Sequence, residues 1–469
     1  MTEPGSPDWW LDRLYKRLRA RTPQIKEWDD WYTGAHPVPA GHEDAESLFA
    51  RVMEAVGLNM LALVTDAALD RMAITGFKVD GRTNDDVWNI WQANNFDLGS
   101  EQVRQEKMAL SESYVLVDPN GGSPLLTPEH PEQCIVEHVA GSTRTRAAAL
   151  KVWFDDLGAT PLVRAMLQVG AQVYGYAAPT RLYADSRYAM AQRPTWELQP
   201  AETGPNSLGE VSLVPFSNRA RMLRDPLPEF HPAIPVQKRI NKTLLDRVAT
   251  QDRGSFQAMW ATGLKIPRDP VTKKPVEQFI KAIDRMFINE NPDGKFGQLD
   301  ADDISQLLAA VRDDVADCAM VVPTSPDQIL GKLVNVSGDG LKLAQVSEVK
   351  RVRRHMRHEA EPWEDVARLA LKGAGKSVPN AERMTTEWTN PEYRTDTEQA
   401  NAATVAINAG MPEEVAWERY FNATPDEVRD WAAKRAAQLS QLDPVTAAAL
   451  AGAGSVGAAG GDSDTGAGA

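Results

Sequence analysis

Residues 299–372 constrain this chain more than any other stretch. Two amphipathic runs of opposite charge lie there, on either side of a short polar segment. The first, Leu299 to Val322, repeats Ile304, Leu308, Val311, Val315, Cys318 and Val322 in alternating steps of four and three. That is the seam of a helix that packs lengthwise against another. Asp302, Asp303, Asp313, Asp314 and Asp317 crowd its other faces. Pro323 stops it, because proline cannot donate to the helical ladder. After Thr324–Val336, Ser337-Gly338-Asp339-Gly340 opens a second helix that runs to about Lys372. Its seam is Val349, Val352, Met356, Trp363, Val366 and Ala370, and Pro362 is expected to bend it. Lys350, Arg351, Arg353, Arg354 and Arg357 gather before that bend. Such a pair makes a poor catalytic pocket. It makes good sense as a stave, with many copies around an axis and the loops aimed at whatever passes through.

The basic run has three readings: ion pairing with the acidic helix of a neighbouring copy, plain solvation, or contact with phosphate. Bulk charge argues against general attraction to nucleic acid. The 469 residues carry a formal charge of −14, whereas phosphate binding needs clustered Lys and Arg. A hydrophobic fraction of 42% allows a sizeable core. Two cysteines imply no disulfide framework, and Cys318 on an apolar seam reads as a small buried hydrophobe. No run reaches the ~18 consecutive apolar residues of a spanning helix, and no apolar leader precedes the first helix, so a soluble, unexported chain is expected.

Along the rest of the chain, residues 8–22 predict a short basic amphipathic helix with Leu11, Leu14, Tyr15 and Leu18 on one stripe. Trp28, Trp31 and Tyr32 read as a separate aromatic anchor before a turn at Gly34. Residues 48–73 predict a helix, 74–79 a strand, and Asp85–Asn94 and 101–112 two more helices. Short strands dominate 113–117 and 135–217, giving an α+β body with a curved antiparallel sheet. Four prolines between Pro226 and Pro235 precede a helix over Val236–Thr262. Residues 263–298 make a small excursion with a helix at Val276–Phe287. A strand is expected at 382–388, two or three helices over 395–441, and disorder in the Ala/Gly/Ser-rich end.

Several residue groups invite chemistry. Ala370-Leu371-Lys372-Gly373-Ala374-Gly375-Lys376-Ser377 fits a loose phosphate-binding loop, but such a loop needs a strand before it and a helix after. The stem-like aspartates lie along one helix, whereas metal catalysis needs carboxylates converging from several elements. His355 and His358 share a helical face without a third ligand, and Cys134 and His138 are similarly unsupported. No catalytic residue, metal or cofactor is therefore assigned.

The order of elements resembles the portal proteins of tailed bacteriophages, in particular those of phages of Gram-positive and actinobacterial hosts. The echoes are Trp31-Tyr32-Thr33-Gly34, Leu213-Val214-Pro215-Phe216-Ser217-Asn218, Arg239-Ile240-Asn241-Lys242-Thr243-Leu244, Lys295-Phe296-Gly297-Gln298-Leu299 with Asp302-Asp303, Ser337-Gly338-Asp339-Gly340-Leu341-Lys342, and Trp388-Thr389-Asn390-Pro391-Glu392. Two departures stand out: Ser111 and Ser113 occupy a strand region where the family often has glycine, and Asp339-Gly340 sits in the opener of the long helix.

The resemblance implies a helix-rich α+β portal fold. Its parts would be a wing at 1–232, a first stem helix at 233–262, a clip at 263–299 and a second stem helix at 300–322. A tunnel loop would follow at 323–340, a long kinked helix at 341–372, a wing return strand at 373–394, a crown at 395–445 and a disordered tail at 446–469. It further implies a ring, usually a dodecamer, at one capsid vertex of the virion after assembly in the host cytoplasm. The ring conducts double-stranded DNA without sequence preference and contacts the terminase motor, the major capsid and scaffolding proteins and a head–tail adaptor, with no membrane involved. On that map Gln328, Lys332, Asn335 and Ser337 belong to the tunnel loop, and the five aspartates line the stem. Lys265, Arg268, Lys273 and Lys274 would dock partners at the clip. Lys350, Arg351, Arg353, Arg354 and Arg357 would pair between subunits. The alternatives are a P-loop nucleotide hydrolase of the packaging machinery and a head–tail adaptor ring.

Overall fold

The computed structural model describes residues 3–36, 57–157, 161–179, 194–255, 259–262, 270, 295–298, 304–325, 328, 338–377, 379–392 and 395–441. The start of the helix expected over 48–73, part of the strand region expected over 135–217, the helix at Val276–Phe287 and the chain beyond 441 lie outside the described residues. The chain forms two compact units, one of Met1–His36, Asn59–Ile234 and Ala319–Ala469, the other of Pro37–Leu58 and Pro235–Cys318.

The larger unit begins with helix α1 (Pro7–Thr33), capped by Ser6, whose hydroxyl accepts from Trp9 N–H. The expected short helix and separate anchor are one element of 27 residues running through Pro23. Proline removes one helical hydrogen bond and costs about 3 kcal/mol. The stripe of Leu11, Leu14 and Leu18 continues to Ile25 and Trp31, all buried, and each such side chain returns about 1.5–3 kcal/mol. Gly34 ends the helix at φ 92, a conformation that favours glycine. Helix α2 (Met60–Leu69) is capped by Asn59. Strand β1 (Ile74–Val79) turns into the short β2 (Arg82–Thr83), and helices α3 (Asp85–Ala93) and α4 (Phe96–Leu110) follow.

After α4, Ser111 takes φ 74. This is the left-handed region, so a serine at this departure from the family pattern carries backbone strain that glycine would avoid. Strands β3 (Glu112–Asp118) and β4 (Leu125–Glu129) pair antiparallel. Strands β5 (Cys134–His138), β6 (Arg146–Asp155), β7 (Leu162–Val169), β8 (Gln172–Pro179) and β9 (Glu197–Pro205) make a five-stranded antiparallel meander in sequence order. Leu11, Leu14 and Leu18 of α1 pack on it against Ile135, Leu150, Val152 and Leu167. Strand β10 (Leu213–Ser217) joins β3, not the meander. The expected single curved sheet is therefore several sheets, since strand pairing is set by non-local register that a local pattern does not carry.

The smaller unit holds most of helix α5 (Ile234–Ser255), the antiparallel ladder of β11 (Met259–Thr262) and β12 (Lys295–Gln298), and most of helix α6 (Ser305–Val321). Back in the larger unit, helix α7 (Gly338–Gly373) runs 36 residues without interruption at Pro362. Its C-terminal half buries Trp363, Val366, Leu369 and Ala370 among Trp91, Phe96 and Phe216. Strand β13 (Met384–Trp388) then returns to pair antiparallel with β1, placing Thr386 opposite Phe77. Helices α8 (Asp396–Asn408), α9 (Glu413–Phe421) and α10 (Pro425–Ser440) close the described chain. A capping box of Thr395 and Glu398 starts α8. Among the described residues no helix is long and apolar enough to cross a membrane.

Candidate functional site

Helices α5 and α6 are tied by one arginine. Arg239 Nη2 lies 2.8 Å from Asp314 Oδ1 and 2.6 Å from Asp317 Oδ2. An exposed clamp of this kind sets the register of two helices more than it stabilises them. The hydrogen bond that Arg239 donates to Asp317 and the nearby Asp314 charge raise its guanidinium above the ordinary value. Beneath it Ile240, Leu244, Leu245, Val315 and Cys318 are buried. Gln237 reaches the carbonyl of Leu58 and the side chain of Asn241. Two of the five expected lining aspartates are thus already compensated within the chain, while Asp313 is exposed. Asp302 and Asp303 lie outside the described residues, as do Lys265, Arg268, Lys273 and Lys274.

The basic run on α7 divides by helical period. Lys350, Arg353, Arg354 and Arg357 face outward, and Arg353 holds Glu392 at 2.5 Å. Arg351 turns inward, 3% exposed, and donates from Nη2 to the carbonyl of Val64 at 3.0 Å. Burial lowers its guanidinium from the usual value, against the opposing pull of Glu229 and Glu348. Pairing of Arg351 with a neighbouring copy is therefore corrected: its own fold covers it.

Arg351 belongs to a buried ionic line along α7. Glu348 accepts from Ser325 N–H at 3.1 Å and lies 3.4 Å from Arg71 Nε. His355 Nε2 stands 3.3 Å from Glu229 Oε1, and Arg219 Nε lies 2.9 Å from the other oxygen. Burial alone would raise the Glu229 carboxyl, but the His355 and Arg219 contacts reverse this and hold it well below the usual range. Lys107 Nζ meets Glu359 Oε1 at 2.6 Å. The sequence reading missed these partners. A signal existed: Glu348, Arg351, His355 and Glu359 recur every three or four residues beside Val349, Val352 and Met356, which puts charge on the buried face.

Of the residues expected in a tunnel loop, Gln328 is described and half-buried, while Lys332, Asn335 and Ser337 lie outside the described residues. Thr324 and Ser325, near the start of that expected loop, are buried, with Ser325 tied to α7 through Glu348. The phosphate-loop candidate fails on geometry. Residues 370–373 are still helical, Lys376 Nζ is paired with Asp86 at 2.6 Å, and among the described residues only a three-residue 3-10 turn, Ala381–Arg383, comes after Ser377 before strand β13. His355 is engaged with Glu229, and Cys134 and Cys318 are buried thiols. Among the described residues no group of three or more His, Cys, Asp or Glu could hold a metal ion.

The family model for the phage portal proteins of the SPP1 Gp6-like type matches residues 11–441. The chain belongs to this family. Among curated relatives, the portal protein of Mycobacterium phage D29 is 25% identical over 405 residues, covering 80% of this chain and 78% of its own length. The portal protein of Mycobacterium phage L5 is 24% identical over 371 residues, covering 74% and 72%. Among solved structures, a chain from the virion of a native gene transfer agent particle aligns at 11% identity and a TM-score of 0.38, covering 91% of this chain and 99% of its own. A chain from the neck of a native gene transfer agent particle, computed with C12 symmetry, aligns at 12% identity and a TM-score of 0.40, covering 84% and 98%.

Proposed function

We propose that this portal-family chain is a non-enzymatic subunit of a ring of about twelve copies, seated at one capsid vertex, through which double-stranded DNA enters during packaging and leaves during ejection. The match to the portal family over residues 11–441 carries the reading. The smaller unit supports it, because Pro235–Cys318 nearly coincides with the stem and clip assigned from sequence, 233–322. The wing, tunnel loop and crown are assigned with the same boundaries as above. Negative-stain images of the purified chain, and of portals extracted from virions, are expected to show particles with an axial hole. Particles from both sources lacking one would overturn the proposal.

The acidic second stem helix lines the channel and keeps DNA from sticking. Duplex DNA carries roughly one negative charge per 1.7 Å, so a lumen rich in carboxylate lets it slide where a cationic one would hold it. Asp313 contributes bare charge, and Asp314 and Asp317 share theirs with Arg239. Tunnel-loop residues Gln328, Lys332, Asn335 and Ser337 make brief contacts, and Lys265, Arg268, Lys273 and Lys274 dock the motor or the head–tail adaptor. Outward-facing Lys350, Arg354 and Arg357 pair with acid on the next copy. One packaging assay tests two of these roles. Replacing Asp313, Asp314 and Asp317 with asparagine is expected to slow or stall packaging with motor binding intact, whereas reversing the clip charges is expected to abolish motor binding. Full-length packaging by the first variant, or normal motor binding by the second, rejects the corresponding role.

A further inference from the structure

The chain passes between its two units four times, leaving the larger one after His36 and Ile234 and re-entering it at Asn59 and Ala319. Four short segments of the larger unit are therefore the roots to which the smaller one is joined. One stripe of α7 holds three of them. Glu348 accepts from Ser325 N–H at 3.1 Å, shortly after Ala319. Arg351 donates to the Val64 carbonyl at 3.0 Å, in the helix that Asn59 caps. His355 Nε2 meets Glu229 Oε1 at 3.3 Å, shortly before Ile234. All three contacts lie inside the larger unit. The fourth root is reached at one remove, because Asn59 Nδ2 donates to the carbonyl of Tyr32, near the end of α1, at 2.7 Å.

Steps of three and four put residues 348, 351 and 355 on one helical face, and all three side chains are buried. Apolar side chains would pack the same elements without the desolvation cost of charge. What the charges add is dependence of each contact on the others. Burial disfavours the charged form of Arg351, while the charges of Glu229 and Glu348 favour it. Those two carboxylates belong to the other two contacts. In a low-dielectric interior, losing one contact leaves the next with a buried charge less compensated. Arg351 Nε and Nη1 also have no hydrogen-bond partner among the described residues. The closed arrangement thus carries a desolvation cost that opening would relieve.

We propose that Glu348, Arg351 and His355 form one clamp that closes or opens as a unit, so that the roots of the smaller unit are released together and not one by one. Independent contacts would open separately, each with its own free energy. Coupled contacts give a two-state element of the kind that conformational switches use. A pull on the smaller unit passes along the chain into these roots, and the clamp makes α7 the element that takes it up. The inference concerns the single chain and stands apart from the ring.

Native-state hydrogen exchange of the full-length chain, in rising sub-denaturing urea and read by mass spectrometry, tests this without any substitution. Segments 59–65, 229–234 and 319–325 are expected to converge on one opening free energy and one urea dependence. Three separate urea dependences overturn the clamp. Opening only together with strands β6–β8 of the meander overturns it too, because that is global unfolding. Arg351→Met is expected to speed exchange in all three segments by about tenfold or more, with β6–β8 still protected. A rise confined to 59–65, the segment that holds its Val64 partner, rejects the coupling. Should that variant lose protection in the meander, His355→Gln decides. It is expected to speed exchange at 319–325 by the same factor as at 229–234, where its Glu229 partner lies. An effect confined to 229–234 overturns the proposal.

Discussion

Replacing Trp363 with alanine is expected to destabilise the larger unit by about 3–5 kcal/mol. The indole is fully buried on α7 and is the hub of an aromatic cluster. Its ring centroid lies 4.3 Å from Phe216, 5.5 Å from Trp91 and 6.1 Å from Phe96. Those partners come from β10, α3 and α4, so they relax only partly into the space left and a cavity persists. Pro362, inside α7, immediately precedes Trp363. Trp363→Phe is expected to cost much less. It keeps most of the ring volume and removes an indole N–H that has no hydrogen-bond partner among the described residues. Urea denaturation followed by far-UV circular dichroism measures both. A loss below about 1 kcal/mol for Trp363→Ala would show that the hub is not what joins α7 to the sheet.

The second large effect concerns Lys107 and Glu359, an ion pair with side chains only 2% and 1% exposed. Removing Glu359 leaves Lys107 buried without its partner, and it also withdraws a carboxylate that favours the charged form of the neighbouring buried Arg104. Glu359→Leu is therefore expected to cost about 3–5 kcal/mol. Removing both charges of the pair, as Lys107→Met with Glu359→Leu, is expected to cost clearly less than Glu359→Leu alone, because the desolvation penalty of the lysine disappears with it. The same denaturation series measures the coupling. A double variant whose loss equals the sum of the two single losses would refute the pairing argument.

Much of the fold was legible because much of it is periodic. The seams at Val315–Cys318 and Val349–Val352–Met356 repeat at helical spacing, and α6 and α7 formed where those repeats lie. Helices were expected over 395–441, and α8 and α10 start there at Thr395 and Pro425, where capping acts within one turn. The helix expected over 8–22 stopped one residue short of Pro23, through which α1 in fact runs. The cost of Pro23 is local and visible, whereas the burial of Ile25 and Trp31 that outweighs it depends on surfaces elsewhere in the fold. Arg351 misled in a similar way, since a run of arginines looks like one basic surface until the helix is turned and every third or fourth charge points inward.

From its residues alone this chain was committed to an acidic seam helix, a proline stop, a long basic helix and a capped helical end, and the order of those elements placed it among the portal proteins. Each rests on interactions between residues a few positions apart, which sequence states directly. Which strand joins which sheet, which charges are buried beside Glu229 and Glu359, and which apolar side chains stay uncovered at Met222 and Leu223 were decided only in three dimensions. Those outcomes depend on partners up to about 300 residues away, such as β13 on β1, and on the low local dielectric that makes a buried charge tolerable only beside its counter-charge.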